Sequence, residues 1–226
     1  MKKFELISEF VTNVFGKKLF RIKALVSFGD VSAGELGGFV EKEENLSNNG
    51  DAWVSGDAWV SGNARVSGNA RVSGNARVSG NAQVSDNARV SGNARVSGNA
   101  QVSDNARVSG NARVSGDARV SDNARVSGNA WVSGDALVSG DALVSGNADF
   151  SVVTGFGRCF RATTFFRCKD KILRVQCGCF YGDLAKFREI VKKTHGDSKY
   201  AKEYLAIADL MELHFSDEEE NQEDDK

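Results

Sequence analysis

The sequence contains no proline. A backbone ladder in which every N–H donates has no place for a residue without one, whereas unstructured linkers are commonly rich in it. Histidine occurs only twice, at His195 and His214, both late in the chain. The four cysteines all fall between Cys159 and Cys179, which fits unpaired thiols in a reducing compartment. Long apolar runs are missing too. The opening MKKFELISEF is broken by Glu5, Ser8 and Glu9 before a signal-peptide core forms, and no later stretch approaches a membrane span. A cytoplasmic chain without membrane attachment is expected. Nor is there an excess of charge of either sign, since 29 basic residues face 30 acidic ones, so net charge selects no partner. At 226 residues the chain has room for one large or two small domains.

What is present is a period. From about Gly50 to Asn147 the unit G-N/D-A-x-V-S recurs some sixteen times, and valine returns every six residues from Val54 to Val144. Alanine precedes each valine by two, as in Ala88 and Val90, so an extended chain points both to one side and the residue between them to the other. The following Gly with Asn or Asp is the pair that reaches positive φ at least cost. Each hexad therefore predicts one short strand and one corner. The stretch AQVSDNARVSGNARVSGN, residues 82–99, is written again over the next eighteen residues with only Asp117 in place of Asn99. Its odd letters, Asp86, Asp104 and Asp122, and Gln83 and Gln101, recur every eighteen residues. Three hexads thus make one coil, and equivalent residues stack in columns about 4.8 Å apart.

The V-S-G-N-A-R pattern resembles that of hexapeptide-repeat proteins with a left-handed parallel β-helix, in which an aliphatic residue and a small residue two places before it fill a triangular prism. The resemblance covers close to half the chain and supplies the hand, which the period alone does not. Its one departure is the serine after the valine, an outward position. The segments RIKALVSFGDVSAGELGGFVEKEENLS and FFRCKDKILRVQCGCFYGDL resemble those bracketing hexapeptide arrays in bacterial and phage proteins, some labelled acyltransferases by similarity alone. That likeness implies a bacterial or phage source.

The expected fold is mainly β, a left-handed parallel β-helix with three hexads per coil and a lid at each end. Residues 1–49 form an N-terminal β-hairpin, KFELISEF and KKLFRIKAL, and cap; 50–149 form the β-helix; 150–215 form a small α+β cap; 216–226 are a disordered acidic tail. In the α+β part, TTFFRC and ILRVQCGCF read as two strands, and DLAKFREIVKKTHG and SKYAKEYLAIADLMELHF as helices, with Leu184, Phe187, Ile190 and Val191 on one face of the first. The outward position is Trp at Trp53 and Trp59 and apolar again at Trp131, Leu137 and Leu143. The terminal segments are expected to fold back over these groups.

Enzymes that the array resembles use a histidine general base, commonly beside an excursion loop, with coenzyme A between neighbouring prisms. A general base needs a group titrating near neutral pH beside the acceptor hydroxyl. The array has no histidine and no insertion. His195 reads as a helix C-terminal residue and His214 as surface. No catalytic residue and no cofactor are assigned. Every eighteenth residue builds three outward faces: Arg71, Arg89, Arg107 and Arg125; Arg77, Arg95 and Arg113; and Arg65, Gln83, Gln101 and Arg119. The first two are candidate anion sites, for guanidinium groups at strand spacing suit phosphates and polyanions. Asp86, Asp104 and Asp122, three residues before Arg89, Arg107 and Arg125, are expected to neutralise that column. Gln83 and Gln101 lower the repulsion between copies, so their face and, alternatively, Trp131 are candidate contacts of a homo-oligomer, with a trimer favoured. The cysteines lack the paired C-x₂-C spacing of a zinc site, and no metal is assigned. The chain reads as a non-catalytic binding or scaffolding rod with a protein partner or an anionic ligand. Alternatives are an anion, nucleotide or nucleic-acid binder, such as one that sequesters a signal molecule, and an acyltransferase of the hexapeptide-repeat class.

Overall fold

The structure, a computed structural model, describes residues 2–216. The acidic tail, Ser216 apart, lies outside the described residues. Three N-terminal strands, β1 (Phe4–Thr12), β2 (Lys18–Ala24) and β3 (Leu36–Val40), precede a β-helix of sixteen two-residue strands, β4 (Trp53–Val54) to β19 (Leu143–Val144), one per hexad. Each pairs in parallel with the strand three hexads on, so that Arg89 lies between Arg71 and Arg107, and Val90 between Val72 and Val108. The result is three parallel sheets and a three-sided column.

The prism interior is set by the hexad. Every valine from Val54 to Val144 and every alanine from Ala52 to Ala142 is at most 1% exposed. Alanine leaves room at the approach to each corner for the branched valines to meet across the axis. Corner glycines sit at positive φ, and a Cβ on Gly80 would lie 2.9 Å from the carbonyl oxygen of Gly98 in the next coil. Both the left-handed backbone and the close stacking of corners therefore require glycine there. Beside it the asparagines form ladders, the Nδ2 of one coil donating to the Oδ1 of the next: Asn63 to Asn81, Asn81 to Asn99, and Asn99 to Asp117 at 2.8 Å. Asp117, the single odd letter of the repeated sentence, is an acceptor at the ladder's end.

Coil polarity dictates what each end lacks. Outside the strand pairs, backbone N–H groups donate toward the following coil, as Trp53 N does to Ala70 O, so at these positions the first coil presents carbonyls and the last presents N–H groups that the array itself does not pair. At the first coil, Phe39 N and Glu41 N of the cap donate to Ala58 O and Val60 O. Lys3 Nζ donates to Ala52 O at 2.8 Å, and Asn45 Nδ2 to Ala64 O at 2.8 Å. At the last coil the side chains are acceptors: Asn147 Oδ1 for Trp131 N, Thr164 Oγ1 for Leu137 N, and Asp149 Oδ2 for Ser145 N and Gly146 N. Burial opposes ionisation of Asp149, yet the bonds from Ser145 and Gly146 outweigh it and hold the carboxyl below its ordinary range. Phe4, Ile22 and Leu46 close the prism at one end, and Phe166 and Cys168 at the other.

Strand β3 lies parallel to β5 (Trp59–Val60) and extends the second sheet, with β2 and β1 added antiparallel. Gly37 and Gly38 allow this approach, because a Cβ on Gly38 would meet Ala58 O at 2.7 Å. After the β-helix come β20 (Phe150–Val153), β21 (Thr163–Arg167), β22 (Leu173–Cys177) and β23 (Phe180–Asp183), then α1 (Leu184–His195) and α2 (Lys199–Phe215). Successive residues of β21 face opposite ways: Phe166 enters the prism core, and Phe165 joins Phe187, Tyr204, Ile207 and Met211 under the helices.

Three expectations need correction here. The stretch ILRVQCGCF is two strands, because Gly178 at φ +59° turns the chain between them, and the sheet has a further strand at Phe150–Val153. Ile190 is 41% exposed, since the face of α1 that packs is Leu184, Phe187 and Val191. The terminal segments cover Trp53, 2% exposed, but leave Trp131 at 53% and Leu143 at 39%. Among the described residues no helix is long and apolar enough to cross a membrane.

Candidate interaction surfaces

The hexad's variable residue is the one outward side chain per strand, so register alone builds the surfaces. The first face stacks Trp53, Arg71, Arg89, Arg107, Arg125 and Leu143. The second runs from Phe39 through Trp59, Arg77, Arg95 and Arg113 to Trp131. The third stacks Arg65, Gln83, Gln101, Arg119 and Leu137. Arginines about 4.8 Å apart repel one another within a Debye length.

Two of these arginines are engaged at the start of the rod. Arg71 pairs with Asp30 of the loop before β3, and the Arg77 guanidinium lies 4.5 Å from the centroid of the Trp59 ring. Arg89, Arg107 and Arg125, and Arg95 and Arg113, have no carboxylate partner among the described residues. Asp86, Asp104 and Asp122 form no ion pair with these arginines. Those three stand at the corner glycine position with φ near +57°, and their carboxylates serve the corner instead. Asp86 and Asp104 accept from the hydroxyls of Ser85 and Ser103, and Asp122 Oδ2 accepts from Gly140 N at 2.9 Å. Aspartate bonds to local backbone and tolerates left-handed φ, which keeps it at the corner.

Grooves border all three faces, the third face among them with one of about 580 Å³ between Glu43, Glu44, Arg65 and Gln83. One of about 650 Å³ lies on the first face between Asp30, Asp51, Arg71 and Arg89. Another, of about 640 Å³, lies between the second face at Trp59, Arg77 and Arg95 and the β1–β2 hairpin tip, where Val14 and Phe15 are 90% and 85% exposed. A smaller one, of about 250 Å³, flanks Trp131 and is lined by Phe150, Val152 and Asn147. The exposed hairpin tip has no periodic signature, and its one sign in the sequence is Val14-Phe15 within the turn.

The remaining chemistry is confined to the caps. Lys3 is buried at the first coil, and burial brings its ammonium down to about 8 against the opposing pull of Asp51. Cys168 is buried and its thiol is pushed up by burial, with Tyr181 Oη 3.9 Å away. Burial also raises Tyr181 to about 12. Neither group is a nucleophile at neutral pH. All four cysteines are free, and among the described residues no three His, Cys, Asp or Glu side chains converge as a metal ion requires. His195 lies against the rings of Tyr204 and Tyr200, at 5.8 and 6.3 Å between centroids.

No curated protein matches the chain. Residues 52–154, the β-helix and the first strand beyond it, match the model of the Bactofilin family, described as polymer-forming cytoskeletal and thus structural and not enzymatic.

Proposed function

We propose that this chain is the rigid unit of a self-associating cytoplasmic scaffold, with no chemistry of its own. The observation that carries the reading is the match of the whole array to a polymer-forming family. Resemblance of the flanking segments adds a bacterial or phage setting. Because both coil ends are hydrogen-bonded by cap side chains, copies are held by side-chain surfaces and not by strand addition at an open end. The groove at Trp131 is the favoured contact, for it offers the largest exposed ring on the rod next to Phe150 and Val152. Lateral contact through Gln83 and Gln101, closing as a trimer, is the alternative, since that face is the least charged.

Sedimentation velocity and electron microscopy of the full chain test the reading. Concentration-dependent assembly is expected. Trp131→Ala should reduce it at least tenfold and Gln83→Glu/Gln101→Glu should leave it intact; the reverse pattern assigns the lateral face. A monomer at every concentration would discard the scaffold reading.

A second reading, an anion binder, is supported by the unpartnered Arg89, Arg107 and Arg125. It predicts binding of heparin or a nucleotide that falls steeply with salt.

A further inference from the structure

The C-terminal sheet brings three of the four cysteines to one of its ends. Val153 of β20, Thr163 of β21 and Cys177 of β22 are paired side by side, at strand spacings of about 4.8 Å. The loop 154–162, which carries Cys159, and the β22–β23 turn, which carries Cys179, therefore leave the sheet together. Cys168 lies at the opposite end and belongs to the prism core. The loop rests on that turn and on α2. Arg161 reaches Gly178, where a Cβ would fall 2.8 Å from Arg161 Nη1. Gly157 N donates to Glu203 Oε2 at 2.9 Å, and a Cβ on Gly157 would collide with Tyr204 Oη. The hydroxyl of this buried tyrosine is hydrogen-bonded to Cys177, whose Sγ also accepts from Thr163 Oγ1 at 3.2 Å. Burial raises the Tyr204 phenol to about 12, and the neighbouring thiols of Cys177 and Cys159 add to the rise. One hydroxyl is thus met by the loop and by the Cys177 sulfur. Cys159, two residues beyond Gly157, is exposed and Cys177 is half-buried. Directly after Cys159 the chain turns on Phe160, which is exposed at φ +51°, a backbone that bulky residues rarely adopt. Such outliers gather at functional sites.

We infer that Cys159 and Cys177 are a redox pair: a hydroperoxide oxidises the exposed Cys159, and Cys177 resolves the product into an intramolecular disulfide that fastens loop 154–162 to β22. The Cys159 sulfur attacks the O–O bond of the peroxide, giving a sulfenic acid and releasing an alcohol, or water where the oxidant is hydrogen peroxide. The Cys177 sulfur then attacks the sulfenic sulfur, so that the S–S bond forms, the S–O bond breaks and water leaves. The thiols lose two electrons to the O–O bond, and their two protons end on the departing oxygens. Cys177, and not Cys179, is the resolving partner because its sulfur meets Tyr204, the residue on which the loop rests. In a reducing compartment the bridge is transient, formed under oxidant and removed by thiols. While it lasts it holds the loop that presents Phe156 and Phe160 to solvent. This inference stands independently of the scaffold reading.

The full chain, reduced and then treated with hydrogen peroxide, tests the pair. Intact mass should show the loss of two hydrogens from the monomer, reversed by dithiothreitol, and tryptic digestion should link the peptide 159–161 to the peptide 175–186. That second peptide holds both Cys177 and Cys179. The link should therefore persist in Cys179→Ser and in Cys168→Ser and be lost in Cys177→Ser, where dimedone should instead trap the Cys159 sulfenic acid. Far-UV circular dichroism matching that of the parent checks that Cys177→Ser is folded, and mapping of Cys179→Ser decides the pairing without it. A link lost in Cys179→Ser would overturn Cys177 as the resolving partner. Over-oxidation of Cys159 with no link in the full chain, or a bridge found only between two copies, would overturn the inference altogether.

Discussion

At the residue scale the ends of the column are decided by single polar groups. Lys3 donates to two carbonyls of the first coil, and its amine is held down by burial. Between about pH 8 and pH 10.5 the unfolded chain keeps a proton that the folded chain has lost, so stability rises with pH across that window. Lys3→Gln retains a donor and does not titrate. Urea unfolding should show the rise flattened in that variant. Gly38→Ala should cost about 2 kcal/mol or more, because the new Cβ lands on Ala58 O and the cap strand must lift. Asp104 presents the opposite case. Asp104→Asn keeps both left-handed tolerance and an acceptor and should be nearly neutral, whereas Asp104→Val should cost about 2 kcal/mol through strain at φ +57°. The identities at these positions were visible in the sequence, but their partners were not. The reading that Asp104 faces Arg107 failed because it used chain separation alone. The corner backbone, with its own N–H groups, lies closer than the arginine side chain does.

At the element scale the hexad is both strand and ladder, and the period displayed both. Alternating Ala and Val set the interior, and the eighteen-residue recurrence of Asp86 and Gln83 fixed which strands are neighbours. Val96→Ala removes buried methyl groups between Val78 and Val114 and should cost about 2 kcal/mol by thermal or chemical unfolding. Asn87→Ala breaks a ladder between Asn69 and Asn105 at exposed distances of 3.1 and 3.4 Å and should cost no more than about 1 kcal/mol. Outside the array legibility fell. The strand Phe150–Val153 has only four residues and no repeat, and CGCF turns on Gly178, so neither boundary had a periodic signal to carry it. Ile190 was placed inward on spacing alone. The residues of α1 that pack under the sheet and α2 are Leu184, Phe187 and Val191, and Ile190 lies outside that cluster.

At the scale of the whole molecule, coils are interchangeable units between two unlike lids. Deleting residues 82–99 removes one complete coil and leaves every column in register, because residues 100–117 restate that sentence. The shortened chain should fold with a midpoint within a few degrees of the parent. Deleting six residues, 88–93, instead moves every later hexad by one face, sets aspartate corners above glycine ones and rotates the C-terminal lid. Its midpoint should fall clearly below that of the eighteen-residue deletion. The three-sided architecture was legible from the sequence, and the candidate contacts were legible only as columns. What closes or exposes them, such as Asp30 on Arg71 or the bare ring of Trp131, comes from loops without a period.

The lids also fix a dimension. Cap groups bond both ends, mainly as donors at the first coil and as acceptors at the last, so neither end stands open to template a further coil. Anything tethered to the two lids is held apart by a distance that changes by about 4.8 Å for each whole coil added or removed, and the number of eighteen-residue coils in the sequence becomes a ruler.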